Sequence, residues 1–403
     1  LAREVVVAVW LDGVPSPDTL VVQAGTHRRC TTDVTGQATC TVDFTVPGGD
    51  IYLIASHPEA RVMAVKVPEQ GDAILEIQLT RYLPDNPEYT FLDPGTPSRR
   101  DTTAQCAHCH VTINEAWHDS PHRTSATNPI VQDTYAGVAQ NYTTQEACEA
   151  AGGRWWEGLE PGSGTPVFRC YLGDGALPAL NDHCGDDQAC DAVATEFGGC
   201  ADCHAPAIDG ELGGQNLLDA TGLSYDYGVH CDFCHKVSDI DLTAPPGNAG
   251  RLVIHRPGEV DETGVFGGWE PLAFGPFHDV PNPVMGAVQR DHFTSATFCA
   301  GCHEQATPGL QSDDPIDPAR WPEGALPVQT TYSEWQAGPM NEVQPCQACH
   351  MPPDPSAGNS ADLYQSFDLR PGYVAGWERP TGTVKKHSWV GPRQPESGML
   401  EDV

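Results

Sequence analysis

The sequence predicts two regions of different class: a small Ig-like β-sandwich over residues 1–90, then a loop-rich, mostly short-helical body over residues 91–403 with little regular secondary structure. Three observations predict this. Apolar residues alternate with period 2 through the first ninety positions. Gly (41) and Pro (36) approach a fifth of the 403 residues, while apolar residues make up 39%, low for a packed domain. Finally, one short Cys/His pattern recurs after residue 100 and divides the rest of the chain.

The alternation runs through Val5–Trp10, Thr39–Val46, Asp50–Ala55, Arg61–Val67 and Ala73–Leu79, separated by Gly, Pro and Asp turns. Short strands at this spacing read as a sandwich. Its histidines, His27 and His57, have no partner nearby in sequence, which suits a binding, spacing or assembly role. The Pro-rich stretch from Pro84 to Pro97 reads as a linker. Beyond it, Val111–Trp117 reads as a short helix, and residues 143–190 as a disulfide-held insertion. The last thirty residues read as an extended segment that wraps the body.

Asp and Glu total 55 against 21 Lys and Arg, a formal charge of −34. Such a field repels nucleic acid and anionic membrane, so neither is an expected partner. No apolar run is long enough to span a bilayer. The chain opens within a strand-like run, Glu4 to Trp10, which suggests a start just after a removed export signal or an unmapped tail.

Sixteen cysteines point to an oxidising compartment, periplasmic or extracellular. Six stand outside the recurring pattern, and local pairing predicts Cys30–Cys40, Cys148–Cys170 and Cys184–Cys190. The other ten form five copies of Cys-x-x-Cys-His: Cys106/Cys109/His110, Cys200/Cys203/His204, Cys231/Cys234/His235, Cys299/Cys302/His303 and Cys346/Cys349/His350. Two thiols at this spacing reach the two vinyl groups of one haem, and the adjoining His ligates its iron. Zinc would require a second ligand pair to close a tetrahedron. Here each pair ends in its own His, so the expected cofactors are five covalent haems c.

Eleven further histidines could supply sixth ligands. His122 ranks first because it follows the first motif closely, and His230 next because it immediately precedes Cys231. His387 stands alone in a polar tail, while His292, His278 and His255 compete in the interval before the fourth motif. Glu115–His122 is echoed by Ser333–Met340, placing Met340 where His122 stands; Met285 is a second thioether candidate. Such ligation would raise a haem potential, whereas the plainer role of either methionine is packing.

The Trp117-x-x-Ser-x-His122 segment, Gly228-Val-His-Cys-Asp-Phe-Cys-His235-Lys, Gly275-Pro-Phe-His-Asp279 and Cys349-His-Met-Pro352 resemble the multihaem cytochromes related to hydroxylamine oxidoreductase and the tetrahaem cytochromes of ammonia oxidisers. The resemblance covers residues 100–390 and implies stacked, mainly bis-His haems, with His122, His230 and His387 as distal ligands. Extracellular cytochrome filaments share these ingredients, and that likeness implies a polymerising filament subunit. The expected function is electron conduction, with other redox proteins or copies of itself as partners. The alternative is an oxidoreductase acting on a small nitrogen or sulfur compound at one open iron. No Cys-x-x-Cys-Lys occurs, and the acidic charge disfavours an anionic substrate.

Overall fold

The computed structural model describes residues 2–45, 50–71, 73–136, 138–140, 142–159, 165–172, 200–215, 217, 220–248, 250–281, 285–308, 319, 325–341, 343–357, 359–361, 379 and 382–389. The N-terminal strands are β1 (Ala2–Leu11), β2 (Val14–Pro15), β3 (Leu20–Gln23), β4 (Arg29–Thr31), β5 (Gln37–Asp43), β6 (Tyr52–His57), β7 (Ala60–Lys66) and β8 (Leu75–Leu79). They form two four-stranded sheets. In one, β1 pairs antiparallel with β2 and β5 and parallel with β8; the other runs β4-β3-β6-β7, all antiparallel.

The strict alternation of β5 turns Ala38, Cys40 and Val42 inward and leaves its threonines outside. Those residues meet Val5, Val7 and Val9 of β1 and Val21, Leu53 and Ala55 of the other sheet in one apolar cluster. Cys30 of β4 is bonded to Cys40 of β5, so this bridge joins the two sheets rather than neighbouring strands of one. Strands β2, β3 and β4 have two to four residues, too few for alternation to show in the sequence.

The N-terminal unit is docked on the body. Arg61 of β7 pairs with Glu259 at 3.2 Å and donates to Pro271 O at 2.8 Å. Ser56 Oγ lies 3.0 Å from His278 Nδ1, and Arg290 donates to Tyr82 Oη at 2.9 Å. The stretch expected as a linker is also held: Asp85 pairs with Arg256 at 2.7 Å, and Tyr89 and Phe91 are buried against Phe233.

The body is built of short pieces. Its helices are α1 (Cys106–Cys109), α2 (Val111–His118), α3 (Pro129–Ala136), α4 (Gln145–Ala150), α5 (Ala201–His204), α6 (Leu223–Asp226), α7 (Cys231–Cys234), α8 (Ala296–Ala300), α9 (Thr331–Ala337) and α10 (Cys346–His350). Small sheets fill the intervals, such as the antiparallel pair Val237–Ile240 with Leu252–Ile254 and the parallel pair Leu272–Gly275 with Gly286–Gln289. In the insertion, Thr144 caps α4, and Cys148–Cys170 ties that helix to the hairpin Arg154–Leu159/Pro166–Leu172. Cys184 and Cys190 lie outside the described residues. Of the C-terminal segment, the described part pairs Lys385 with Pro353 and buries Val384. Among the described residues, no helix is long and apolar enough to cross a membrane.

Candidate functional site

Each Cys-x-x-Cys-His motif is wound into a single helical turn. A turn of this length places residues three apart on one face, so both thiols of a motif point the same way. The His backbone N–H then donates to the carbonyl of the first Cys: His110 to Cys106 at 2.9 Å, His204 to Cys200 at 2.8 Å, His235 to Cys231 at 3.0 Å and His303 to Cys299 at 2.8 Å. The fifth motif is itself the helix α10. None of these ten cysteines is in a disulfide; nine are partly buried and Cys349 is exposed.

The turns lie against one another. The thiol of Cys106 neighbours that of Cys231, and this neighbour together with burial pushes it up. Cys203 has the same relation to Cys302, and Cys299 to Cys346. Thus cysteines of the first and third, second and fourth, and fourth and fifth motifs adjoin. Cys234 is pushed up to about 12 by burial alone.

The histidines of the motifs are oriented from behind. His110 Nδ1 donates to Ser360 O and His235 Nδ1 to Phe274 O, each at 2.6 Å. A proton held on Nδ1 makes Nε2 the ring atom free to ligate in the neutral tautomer. The Gln329 amide lies 2.9 Å from His303 Nδ1, whereas His204 Nδ1 is buried without a hydrogen-bond partner.

The three first-ranked distal candidates share one condition, an imidazole kept neutral, with His230 fully buried and His122 and His387 partly buried. His122 is pushed down to about 3 by desolvation, aided by His303, His204 and His387. Its ring centroid stands 6.0 Å from that of His303, with the planes at 68°. His230 is fully buried, neither ring nitrogen has a hydrogen-bond partner, and burial pushes it down to about 4. His387 is pushed down to about 4 by desolvation and then by His235, while its Nδ1 donates to Lys385 O at 3.0 Å.

The remaining candidates are placed differently. His292 Nε2 is 3.1 Å from Val237 O, and its ring stacks on Phe293 and Phe298. His255 sits edge-on to Tyr82 and Phe274 with Nε2 unpartnered, and His278 faces Ser56 at the boundary with the N-terminal unit. Met285 lines a cavity with Cys106, Cys109, Leu92 and Phe266, so it adjoins the first motif although it precedes the fourth in sequence. Met340 is 43% exposed.

A buried ion pair escaped the sequence reading. Lys236 pairs with Asp232, which also accepts from Tyr89 Oη and Leu92 N–H, each at 2.8 Å. Burial pushes the Asp232 carboxyl up, but Lys236, the Leu92 N–H and nearby His230 outweigh it and hold the group below its ordinary value. The signal was present: two opposite charges four apart, one inside the third motif and one just after it. Among the described residues, no group of three or more His, Cys, Asp or Glu side chains gathers to hold a metal ion. A haem iron does not require one, because the macrocycle supplies most of its bonds.

Comparison with protein-family models finds no match, and comparison with curated proteins finds none.

Proposed function

We propose that the chain is a pentahaem c-type cytochrome that conducts electrons outside the cytoplasm, with no substrate-reacting residue of its own. The observation that carries this reading is the set of five Cys-x-x-Cys-His turns packed together in one body. Haem, when bound, supplies reversible one-electron chemistry at iron. The chain's own residues fit it: paired thiols on one face, Nδ1 protons of His110 and His235 fixed on carbonyl oxygens, and fully or partly buried imidazoles held neutral. His230, with both ring nitrogens buried and unpartnered, is costly to bury unless something bonds it.

His122 and His303 support a shared iron. Their rings are neighbours, with centroids 6.0 Å apart and planes at 68°, so both would be at hand for one iron. On this reading His122 serves the fourth motif, not the first motif that precedes it. His387 lies within electrostatic range of His235 and of His110, the histidines of the third and first motifs, and is offered as the second ligand of one of them. Disulfides Cys30–Cys40 and Cys148–Cys170 support an oxidising compartment. Two sheets around one core support an Ig-like sandwich for the N-terminal unit.

Intact-mass measurement of denatured protein tests the reading. It should show five covalently retained haems, and protein that retains only zinc or nothing removes the proposal. His122→Ala should keep all five and turn one haem from low-spin to high-spin by electron paramagnetic resonance. An unchanged spectrum removes His122 as a ligand.

A further inference from the structure

We propose that the fourth motif is a junction, around which the chain gathers the second, third and fifth attachment turns, so that the five sites form a branched array rather than a single file. This inference rests on the haem reading above and deepens it.

The second motif is joined to the fourth through Gly247, Asn248 and Arg251. Gly247 N donates to Gly301 O at 2.6 Å, and Arg251 Nη1 to Ala300 O at 2.9 Å, both within or beside α8. Asn248 grips the second motif, its N donating to Asp202 O at 3.4 Å and its side chain to Pro206 O at 2.6 Å. Gly301 permits the approach: a Cβ there would collide with Leu252 and lie 3.0 Å from Phe298 O. Cys203 and Cys302 adjoin across this seam.

The fifth motif is fastened by Gln347, a residue between its two cysteines. The Gln347 side-chain amide donates to Ser295 O at 2.6 Å, and Ser295 caps α8. Cys299 and Cys346 adjoin there. The third motif meets the fourth through apolar packing: Cys234, Phe298 and Cys302 lie against one cluster that contains Phe233 and Leu252. Three independent sets of contacts therefore converge on one turn. The first motif instead meets the third across Leu92, which lines a cavity with Cys106 and Cys109 and donates its N–H to Asp232 at 2.8 Å.

Rigid hydrogen bonds to helix-end carbonyls fix the distances between attachment turns, and each haem is tethered at its own turn by two thioethers. The geometry consequently makes the fourth haem the neighbour of three others and the first haem the neighbour of the third.

The test is the position of the irons in the full-length haem-loaded protein, by crystallography or electron microscopy, after mass measurement has counted the haems. The expected result is that the fourth motif's iron has those of motifs two, three and five as its nearest neighbours. Five haems in single file, with the fourth iron between only two others, overturns the junction and leaves the cytochrome reading intact. Fewer than five haems overturns both. A solution readout uses His122→Met, which should raise the potential of the fourth haem. With that haem alone reduced, electron paramagnetic signals of three other haems should change; changes in two or fewer overturn the proposal.

Discussion

The N-terminal unit and the body solve the problem of folding in opposite ways. In residues 2–79, fourteen buried apolar side chains form a single cluster between two sheets. In the described part of the body, which is several times longer, the two largest clusters contain seven and six. Its interior holds instead His230, Asp232, Lys236, Asn114, Arg256 and Gln347. Lys and Asp are rarely buried at all. One region is therefore stabilised by the polypeptide's own apolar surface, and the other by groups that a covalently bound cofactor would cross-link and cover.

The sharpest way to break this comparison is to prevent attachment. With all ten motif cysteines replaced by serine, the body should lose its protease resistance while a fragment near residues 2–82 survives digestion. A body that stays resistant would show that its polypeptide core suffices. Within the N-terminal unit, Leu53→Ala removes a fully buried side chain and should cost about 2–5 kcal/mol. Its own denaturation should shift while the haem absorbance stays unchanged. A simultaneous change in both would mean that the two regions unfold as one.

Acid should separate them in the other direction. His230 and His387 are held at about 4 by desolvation, below roughly 6.5 for an ordinary His. Between these values the unfolded chain binds more protons, whether the folded imidazoles are neutral or bound to iron, so their contribution is complete above about pH 6.5 and is lost as pH falls toward 4. Denaturation midpoints of the body should drop across that window, and a flat profile would remove the buried neutral histidines from the account. The smallest effect is expected at the boundary. Arg61→Met breaks a partly exposed pair with Glu259 and a bond to Pro271 O, and should cost about 1 kcal/mol. Protease cleavage near residue 83 should become faster, and no change would assign the docking to other contacts.

What could be read from the sequence was whatever short-range spacing dictates. The five Cys-x-x-Cys-His turns follow from a fixed short spacing, and β5 follows from unbroken alternation. Three long-range features could not be read this way. The sequence placed Met285 before the fourth motif, yet it lines a cavity beside the first. His122 faces His303 across most of the body's length in sequence. The Pro84–Pro97 stretch has the composition of a spacer, yet Asp85, Tyr89 and Leu92 are anchored to Arg256 and Asp232. Pairings of this kind depend on which segments meet in space, and local periodicity carries no record of that.

The bond from His110 to the carbonyl of Ser360 spans 250 residues, which sets an order of events during synthesis. Chains emerge N-terminus first, so the first attachment turn is exposed long before the carbonyl that aims its histidine exists. Its two thiols can be joined early, but the ring acquires its fixed orientation only when the tail arrives. A chain terminated just after Met351 would contain every attachment turn and still leave the first histidine without its clamp.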